Sequence, residues 1–187
     1  RVITPQATQQ SVIMLGYQGA SVHSTDYAAL KLLSTYLGNG LSSRLFIELR
    51  EKLGLAYDVS AFYTTRQFSS SFAVYMRTAP EITVIALEAL RREVDLLSSS
   101  KLEENALQAA KNKILGQYAL GKQTNGQIAQ IYGWYEIIGL GIAFDQKFQE
   151  DIAALTSLDT ITAASQYLKE PFVSVIGQEE AISRVIV

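Results

Sequence analysis

Residues 37–57 read LGNGLSSRLFIELREKLGLAY, and this pattern predicts a helix, a corner, a second helix and then a strand. Gly38-Asn39-Gly40 ends the first helix, because glycines disfavour helix interiors. Ser42 or Ser43 is placed to begin the second helix. Its apolar stripe consists of Leu45, Phe46, Leu49 and Leu53. Gly54 follows as a C-terminal cap, since glycine accepts the left-handed backbone conformation.

Upstream of this segment, one strand and one helix are predicted. Residues 10–17 (QSVIMLGY) are apolar and bounded by Gly19, which is typical of a buried strand. Ser24 or Thr25 can cap a helix over residues 26–37. The core face of that helix consists of Tyr27, Leu30, Leu33 and Leu37. The chain therefore begins β-α-α.

Downstream, residues 55–64 and 67–78 are predicted to form an antiparallel hairpin with a short turn near Thr65-Arg66. One face of the second strand is apolar, which indicates that the hairpin is half buried against helices. That face consists of Phe68, Phe72, Val74 and Met76.

A run of helices follows the hairpin. Pro80 suits the first turn of a helix that ends near Leu97. Ser100 and Glu103 have the spacing of a capping box for a helix over residues 101–120. Three more helices and a last strand are predicted over residues 125–138, 144–155, 158–168 and 172–176. This order favours an α+β fold, with helices packed on one face of a mixed or antiparallel sheet.

The composition is that of a soluble globular chain with a sizeable core. The 187 residues are 48% hydrophobic and 18% charged, so we expect a single domain over residues 1–187. The first residues, Arg1–Pro5, lack an initiator methionine, and the chain is expected to be a fragment of a longer one. The compartment stays open between cytoplasm, periplasm and an organelle.

Charge and hydropathy exclude several kinds of partner. The formal net charge is −2 and the basic residues are scattered, so nucleic-acid binding is not expected. No apolar stretch reaches the roughly 18 residues of a membrane-spanning helix. The chain has no cysteine, which removes disulfides, thiol nucleophiles and thiolate metal ligands.

The one histidine limits the metal chemistry that the chain can perform. Zinc hydrolases commonly use two or three histidines with a carboxylate, so His23 cannot assemble such a site and no metal site is predicted. We expect His23 to be structural or exposed to solvent. No G-x-S-x-G sequence accompanies it, which disfavours a serine hydrolase. Gly38-Asn39-Gly40 lacks the pattern of a phosphate loop. Tyr132, Trp134 and Tyr135 are interpreted as core residues of a helix.

Two hydrogen-bond donors remain as candidates for chemistry. Arg50 lies on the last turn of the second helix, and Tyr57 stands at the start of the next strand. The chain reverses between them at Gly54, so a guanidinium and a phenol can approach one point and stabilise an oxyanion. The alternative is an arginine on the polar rim of a helix and a tyrosine that fills a half-core position. The pattern alone favours this alternative.

Residues 37–57 closely resemble the signature G-x-G-x-S-S-R-L-F-x-x-L-R-E-x-x-G-L-A-Y of M16 peptidases, the family of mitochondrial processing peptidase and pitrilysin-like enzymes. Further similarity to this family is found at 139–141, 144–145, 152–156, 164–168 and 173–177. The resemblance covers nearly the whole chain. It implies the LuxS- and processing-peptidase-like metallohydrolase fold, in which two homologous α+β halves enclose a peptide substrate.

The resemblance also implies a division of labour between the two halves. One half carries H-x-x-E-H and binds zinc, whereas the other half lacks it and supplies an arginine and a tyrosine to the substrate carbonyl. Arg50 and Tyr57 occupy those positions of the signature, so catalytic roles are expected for them. Gly38, Gly40 and Ser42 are candidate substrate-binding residues, although Ser42 also suits a helix N-cap. No cofactor is expected in this chain; zinc belongs to the partner half.

The expected partner is therefore a homologous domain or subunit that bears H-x-x-E-H, and the isolated fragment is expected to be inactive. A homodimer of the isolated fragment is a further possibility. The alternative function is that of a non-catalytic structural or peptide-binding subunit with the same fold, because respiratory-complex core proteins share it and need not keep the arginine and tyrosine.

Overall fold

The fold is seen in a computed structural model that describes residues 1–185. Five strands form one mixed sheet: β1 (Val2–Pro5), β2 (Ser11–Gly19), β3 (Asp58–Tyr63), β4 (Ser70–Thr78) and β5 (Phe172–Gly177). Their order across the sheet is β1-β5-β2-β4-β3. All pairs are antiparallel except β1 with β5, which are parallel. The predicted α+β class is confirmed.

Within the described residues, seven α-helices accompany the sheet: α1 (Tyr27–Gly38), α2 (Thr83–Ser99), α3 (Glu104–Leu120), α4 (Asn125–Ile137), α5 (Phe144–Ala154), α6 (Ser157–Tyr167) and α7 (Glu179–Ile182). A π-helix spans Phe46–Lys52, and a 3-10 turn at Pro80–Ile82 leads into α2. No helix within residues 1–185 is long and apolar enough to cross a membrane.

The core lies between one face of the sheet and the helices. Side chains alternate along a strand, and on β2 the inward residues Ile13, Leu15 and Tyr17 are at most 2% exposed. They pack in one cluster with apolar residues of α1, α2, α3, α5 and α6, including Leu33 and Leu90. Helices are thus packed on one face, as the sequence predicts.

Two details of the predicted hairpin are wrong. Strand β4 begins at Ser70, so Phe68 lies in the loop before it and is 78% exposed. The connection is also longer than a short turn, because Thr64 N donates to Ser71 O at 3.1 Å and the Thr64 hydroxyl lies 2.9 Å from the Ser70 hydroxyl. These contacts close the hairpin before residues 65–69, which leaves Phe68 outside the ladder.

Two predictions for the helices are also wrong. Helix α3 begins at Glu104, and Glu103 has extended backbone with no side-chain cap, so Ser100 and Glu103 form no capping box. On α4, Tyr135 is buried, but Trp134 is 38% exposed and Tyr132 is half-buried. Tyr135 contacts Phe144 of α5 and Tyr118 of α3, and it is the residue of α4 that is buried.

Candidate functional site

The predicted chain reversal is present between the π-helix and β3. Leu53 N donates to Glu48 O at 3.2 Å, and Leu55 N donates to Leu49 O at 2.8 Å, so the helix ends in wide turns. Gly54 has φ +64°, the left-handed conformation expected of its C-terminal cap. The backbone of Leu55 therefore returns to the residue next to Arg50.

The next backbone contact fixes Tyr57. Its N–H donates to Arg77 O at 2.9 Å, directly before the ladder in which Asp58 pairs with Arg77 of β4. Tyr57 thus stands at one corner of the sheet, where the edge strand β3 begins. Its main chain is held by this hydrogen bond to β4, which fixes the point from which the phenol side chain extends.

Both candidate donors are exposed. Tyr57 is 56% exposed and Arg50 is exposed as well, so neither side chain fills a core position. The Arg50 guanidinium lies 5.1 Å from the centroid of the Phe46 ring. Neither side chain makes a hydrogen bond or an ion pair with another part of residues 1–185. Their polar ends are therefore available to a ligand.

Two basic side chains of the same helical segment are engaged by other residues. Lys52 Nζ lies 2.9 Å from Glu48 Oε1, and this hydrogen bond is the first cause of the lowered pKa of Glu48. Arg44 Nε donates at 2.7 Å to Glu93 Oε2, and Glu93 is only 4% exposed. The ion pair between Arg44 and Glu93 is therefore a structural one. Arg50 has no carboxylate of this kind.

Polar side chains that no sequence pattern indicates lie on the two strands that meet at Tyr57. Tyr75 OH donates to Asp58 Oδ2 at 2.9 Å, and burial is the first cause of the raised pKa of Tyr75. Arg77 pairs with Asp58 in the register of β3 and β4. The alternation of the two strands would have placed all three on one face, but only once the register was known.

The three candidate substrate-binding residues lie in the corner between α1 and the π-helix. A Cβ at Gly38 would overlap the backbone of Ala61 in β3, so Gly38 permits close helix–strand packing. Gly40 has φ +76°. The Ser42 hydroxyl accepts a hydrogen bond from Lys113 Nζ at 3.3 Å. These contacts are structural, and a substrate role for Gly38, Gly40 and Ser42 stays a prediction.

Ser42 is not the N-cap that one interpretation gave it. The helical segment starts after Ser43, whose carbonyl accepts from Ile47 N at 3.1 Å. The Ser43 hydroxyl is buried and has no hydrogen-bond partner within residues 1–185. The helix therefore begins one residue later than a Ser42 cap would place it. The hydroxyl of Ser43 is buried and does not cap the helix.

The side chains do not fit a zinc ion. His23 is exposed, with Nε2 at 3.2 Å from Ile138 O, in the solvent-facing position expected of it. Across residues 1–185, no group of three histidine, cysteine, aspartate or glutamate side chains could hold a metal.

Comparisons with known proteins agree with this geometry. The family model described as "Peptidase M16 inactive domain" matches residues 1–114. An uncharacterized zinc protease of Streptomyces coelicolor is 31% identical over 172 residues, which are 91% of this chain and 37% of that protein. The chain thus spans less than half the length of this relative.

Two solved structures share the fold. The M16 inactive domain from Pseudomonas fluorescens aligns with a TM-score of 0.87 and 23% identity, over 95% of this chain and 43% of that one. A putative zinc protease from Bordetella pertussis aligns with a TM-score of 0.78 and 20% identity, over 92% of this chain and 96% of that one. The chain belongs to the M16 peptidase family and is its inactive domain.

Proposed function

We propose that this chain is the carbonyl-binding half of a zinc peptidase, in which Arg50 and Tyr57 donate hydrogen bonds to the scissile carbonyl oxygen of a peptide. A companion M16 half would carry H-x-x-E-H and the zinc. The observation that carries the proposal is the exposure of both donors at one chain reversal, within a segment that matches the family signature.

Two features of the chain support this role. Tyr57 is anchored through its main chain to Arg77 O while its side chain remains exposed. Arg50 rests on the Phe46 ring, which restricts the guanidinium without using its N–H groups on a carboxylate. A donor that is held in place, and whose hydrogens are not already bonded to another group, can stabilise a negative charge that develops in the transition state.

The chemistry assigned to the two residues is stabilisation of charge. As water adds to the peptide carbonyl, the oxygen gains negative charge, and the phenol and guanidinium hydrogens bond to it more strongly than in the ground state. Neither residue forms a covalent bond or loses a proton in this step.

The experiment that tests the division of labour compares the chain alone with the assembled enzyme. Alone, the chain should hold no stoichiometric zinc and cleave no unfolded peptide; mixed with the zinc-binding half, it should restore cleavage. Arg50→Gln should then slow turnover in the mixture, whereas Arg66→Gln, in the exposed loop before β4, should not. Stoichiometric zinc in this chain, or equal rates for the two variants, would contradict the proposal.

The alternative, a structural or peptide-binding subunit, predicts a different result in the same assay. Substitution of Arg50 would then leave any cleavage by the assembly unchanged. The two candidate functions are thus separated by a single pair of variants.

A further inference from the structure

Thr78, the last residue of β4, has a polar side chain at a core position. The inward residues before it on this strand, Val74 and Met76, are apolar and, like Thr78, are 0% exposed. Valine has the same β-branched shape and would fit the position as well, so shape alone does not explain a threonine. A hydroxyl that is removed from water needs a hydrogen-bond partner, because an unpaired one destabilises the fold.

The partner of this hydroxyl lies in residues 54–57, which connect the π-helix to β3 and which we call the turn segment. Thr78 Oγ1 donates to Leu55 O at 2.7 Å. Leu55 N donates in turn to Leu49 O in the π-helix at 2.8 Å, so both backbone groups of Leu55 are bound. Leu55 therefore joins the π-helix, which bears Arg50, to the end of β4.

Few other contacts hold the turn segment in place. A Cβ at Gly54 would meet nothing within 4 Å, and the residues before it, 51–53, are exposed. Ala56 is buried but brings only a methyl group to the core. Tyr57 is bound to β4 through its N–H alone, and its side chain is exposed. Within residues 1–185, Thr78 is thus the one side chain that forms a hydrogen bond with the turn segment.

The position of the Tyr57 phenol depends on the main chain that precedes it. A donor stabilises an oxyanion only when it lies about 3 Å from the oxygen, and a shift of about 1 Å at a reacting centre can slow a reaction about 10²-fold. The carbonyl that Thr78 holds belongs to the residue two positions before Tyr57. Release of this carbonyl would allow the phenol to move over distances of that size.

We infer that Thr78 is a positioning residue for Tyr57: its hydroxyl holds Leu55 O and so fixes the point from which the phenol reaches the substrate carbonyl. The inference rests on the proposed function, because it takes Tyr57 to be a donor to that carbonyl. It adds a buried residue of β4 that touches no substrate and acts through the main chain of the turn segment.

Removal of the hydroxyl at nearly constant shape tests this role. Thr78→Val keeps the β-branched side chain but leaves Leu55 O without its donor. In the enzyme assembled with the zinc-binding half, we expect kcat to fall about tenfold with KM little changed, because the phenol acts on the transition state. Thr78→Ser keeps the hydroxyl and should retain kcat to within about twofold of the wild type. A wild-type kcat in Thr78→Val overturns the inference.

A double-mutant cycle separates the positioning of Tyr57 from a general effect on the fold. If Thr78 acts through the phenol, Thr78→Val should lower kcat in the wild-type background and cause no further fall in Tyr57→Phe. Equal falls in the two backgrounds would show that Thr78 has only a general structural role, and the inference would be wrong.

The matched control is Thr160→Val on α6. Thr160 is 1% exposed and its hydroxyl donates to Ser157 O at 2.9 Å, so this variant removes a buried hydroxyl that does not contact the turn segment. Its kcat should equal that of the wild type. A fall as large as that of Thr78→Val would attribute both losses to a weakened core and overturn the inference.

A second variant keeps the test decisive should Thr78→Val fail to fold. Thr78→Cys replaces the hydroxyl with a thiol, a much weaker donor, and no other cysteine is present to form a disulfide. Its kcat should lie below that of Thr78→Ser, and equal values would overturn the inference.

The variants also separate this inference from the proposed function. A full kcat in Tyr57→Phe refutes the role of the phenol, and the positioning role of Thr78 with it. A slow Tyr57→Phe beside a wild-type kcat in Thr78→Val refutes the positioning role alone.

Discussion

Arg44 and Arg50 belong to the same helical segment but have opposite surroundings. Arg44 pairs with Glu93, a carboxylate that is almost fully buried, whereas Arg50 is exposed and lies over an aromatic ring. The structure thus uses the first arginine for stability. It leaves the second available for a substrate, which is the distinction that the proposed function requires.

This distinction predicts different effects on stability. Arg44→Ala leaves the Glu93 carboxylate buried without its partner and should lower the free energy of unfolding by roughly 2–3 kcal/mol. Arg50→Ala should change it by less than about 0.5 kcal/mol, as is usual at exposed sites. Urea unfolding of the two variants measures both values. Equal losses would mean that Arg50 also has a structural role.

For individual residues, the sequence predicts part of the site. The positions of Arg50 and Tyr57 follow from the signature, and the reversal follows from Gly54. The hydrogen bond between Tyr75 and Asp58 does not, because it depends on the register of two strands. A shift of one residue would turn Tyr75 to the other face.

Among the secondary-structure elements, α1 packs closely on β3 because Gly38 has no side chain. The end of α1 packs on Ala61 so closely that a Cβ at Gly38 would overlap its backbone. This contact also positions β3, the strand that directly follows Tyr57. Gly38 is thus needed for the packing of α1 on β3, whether or not it also contacts a substrate.

Gly38→Ala should therefore destabilise the domain strongly, by roughly 3 kcal/mol, the upper end of the usual cost of overpacking. The matched variant Gly116→Ala on α3 should be neutral or stabilising by up to about 1 kcal/mol, because alanine favours helices. Thermal unfolding measures the contrast. A stable Gly38→Ala protein that had lost activity would instead support the predicted substrate role of Gly38.

The other elements show where sequence patterns suffice. Helices with strong periodicity, such as α1 and α2, are predicted within a few residues of their observed ends. Strand β1 and helix α7 are missed, because each has four residues and too little pattern to detect. The parallel pairing of β1 with β5 joins the two ends of the chain, a contact that no local pattern encodes.

In the molecule as a whole, tyrosines make the core sensitive to alkali. Burial raises the pKa of Tyr27 to about 12 and also raises the pKa of Tyr17, Tyr63 and Tyr118. The unfolded chain loses these protons near pH 10, before the folded chain does. Stability is thus complete below about pH 10 and declines as the pH rises towards the folded pKa.

We expect Tyr27 alone to account for roughly 1 kcal/mol of lost stability per pH unit between about pH 10 and 12. Urea unfolding at about pH 8 and about pH 11 measures the loss, with tyrosinate absorbance as the probe of ionisation. Tyr27→Phe should make the pH dependence shallower. An unchanged slope in this variant would show that Tyr27 ionises normally in the folded state.

The proposed function depends above all on Tyr57 as a donor to the carbonyl oxygen in the transition state. The values of kcat and KM for Tyr57→Phe in the assembled enzyme test this role, with Tyr132→Phe on α4 as the control. We predict a fall in kcat of about 10²–10³-fold for Tyr57→Phe, the cost of losing one oxyanion donor, with KM little changed and the domain folded. A kcat equal to that of the wild type and of the control would mean that Tyr57 does not stabilise the transition state.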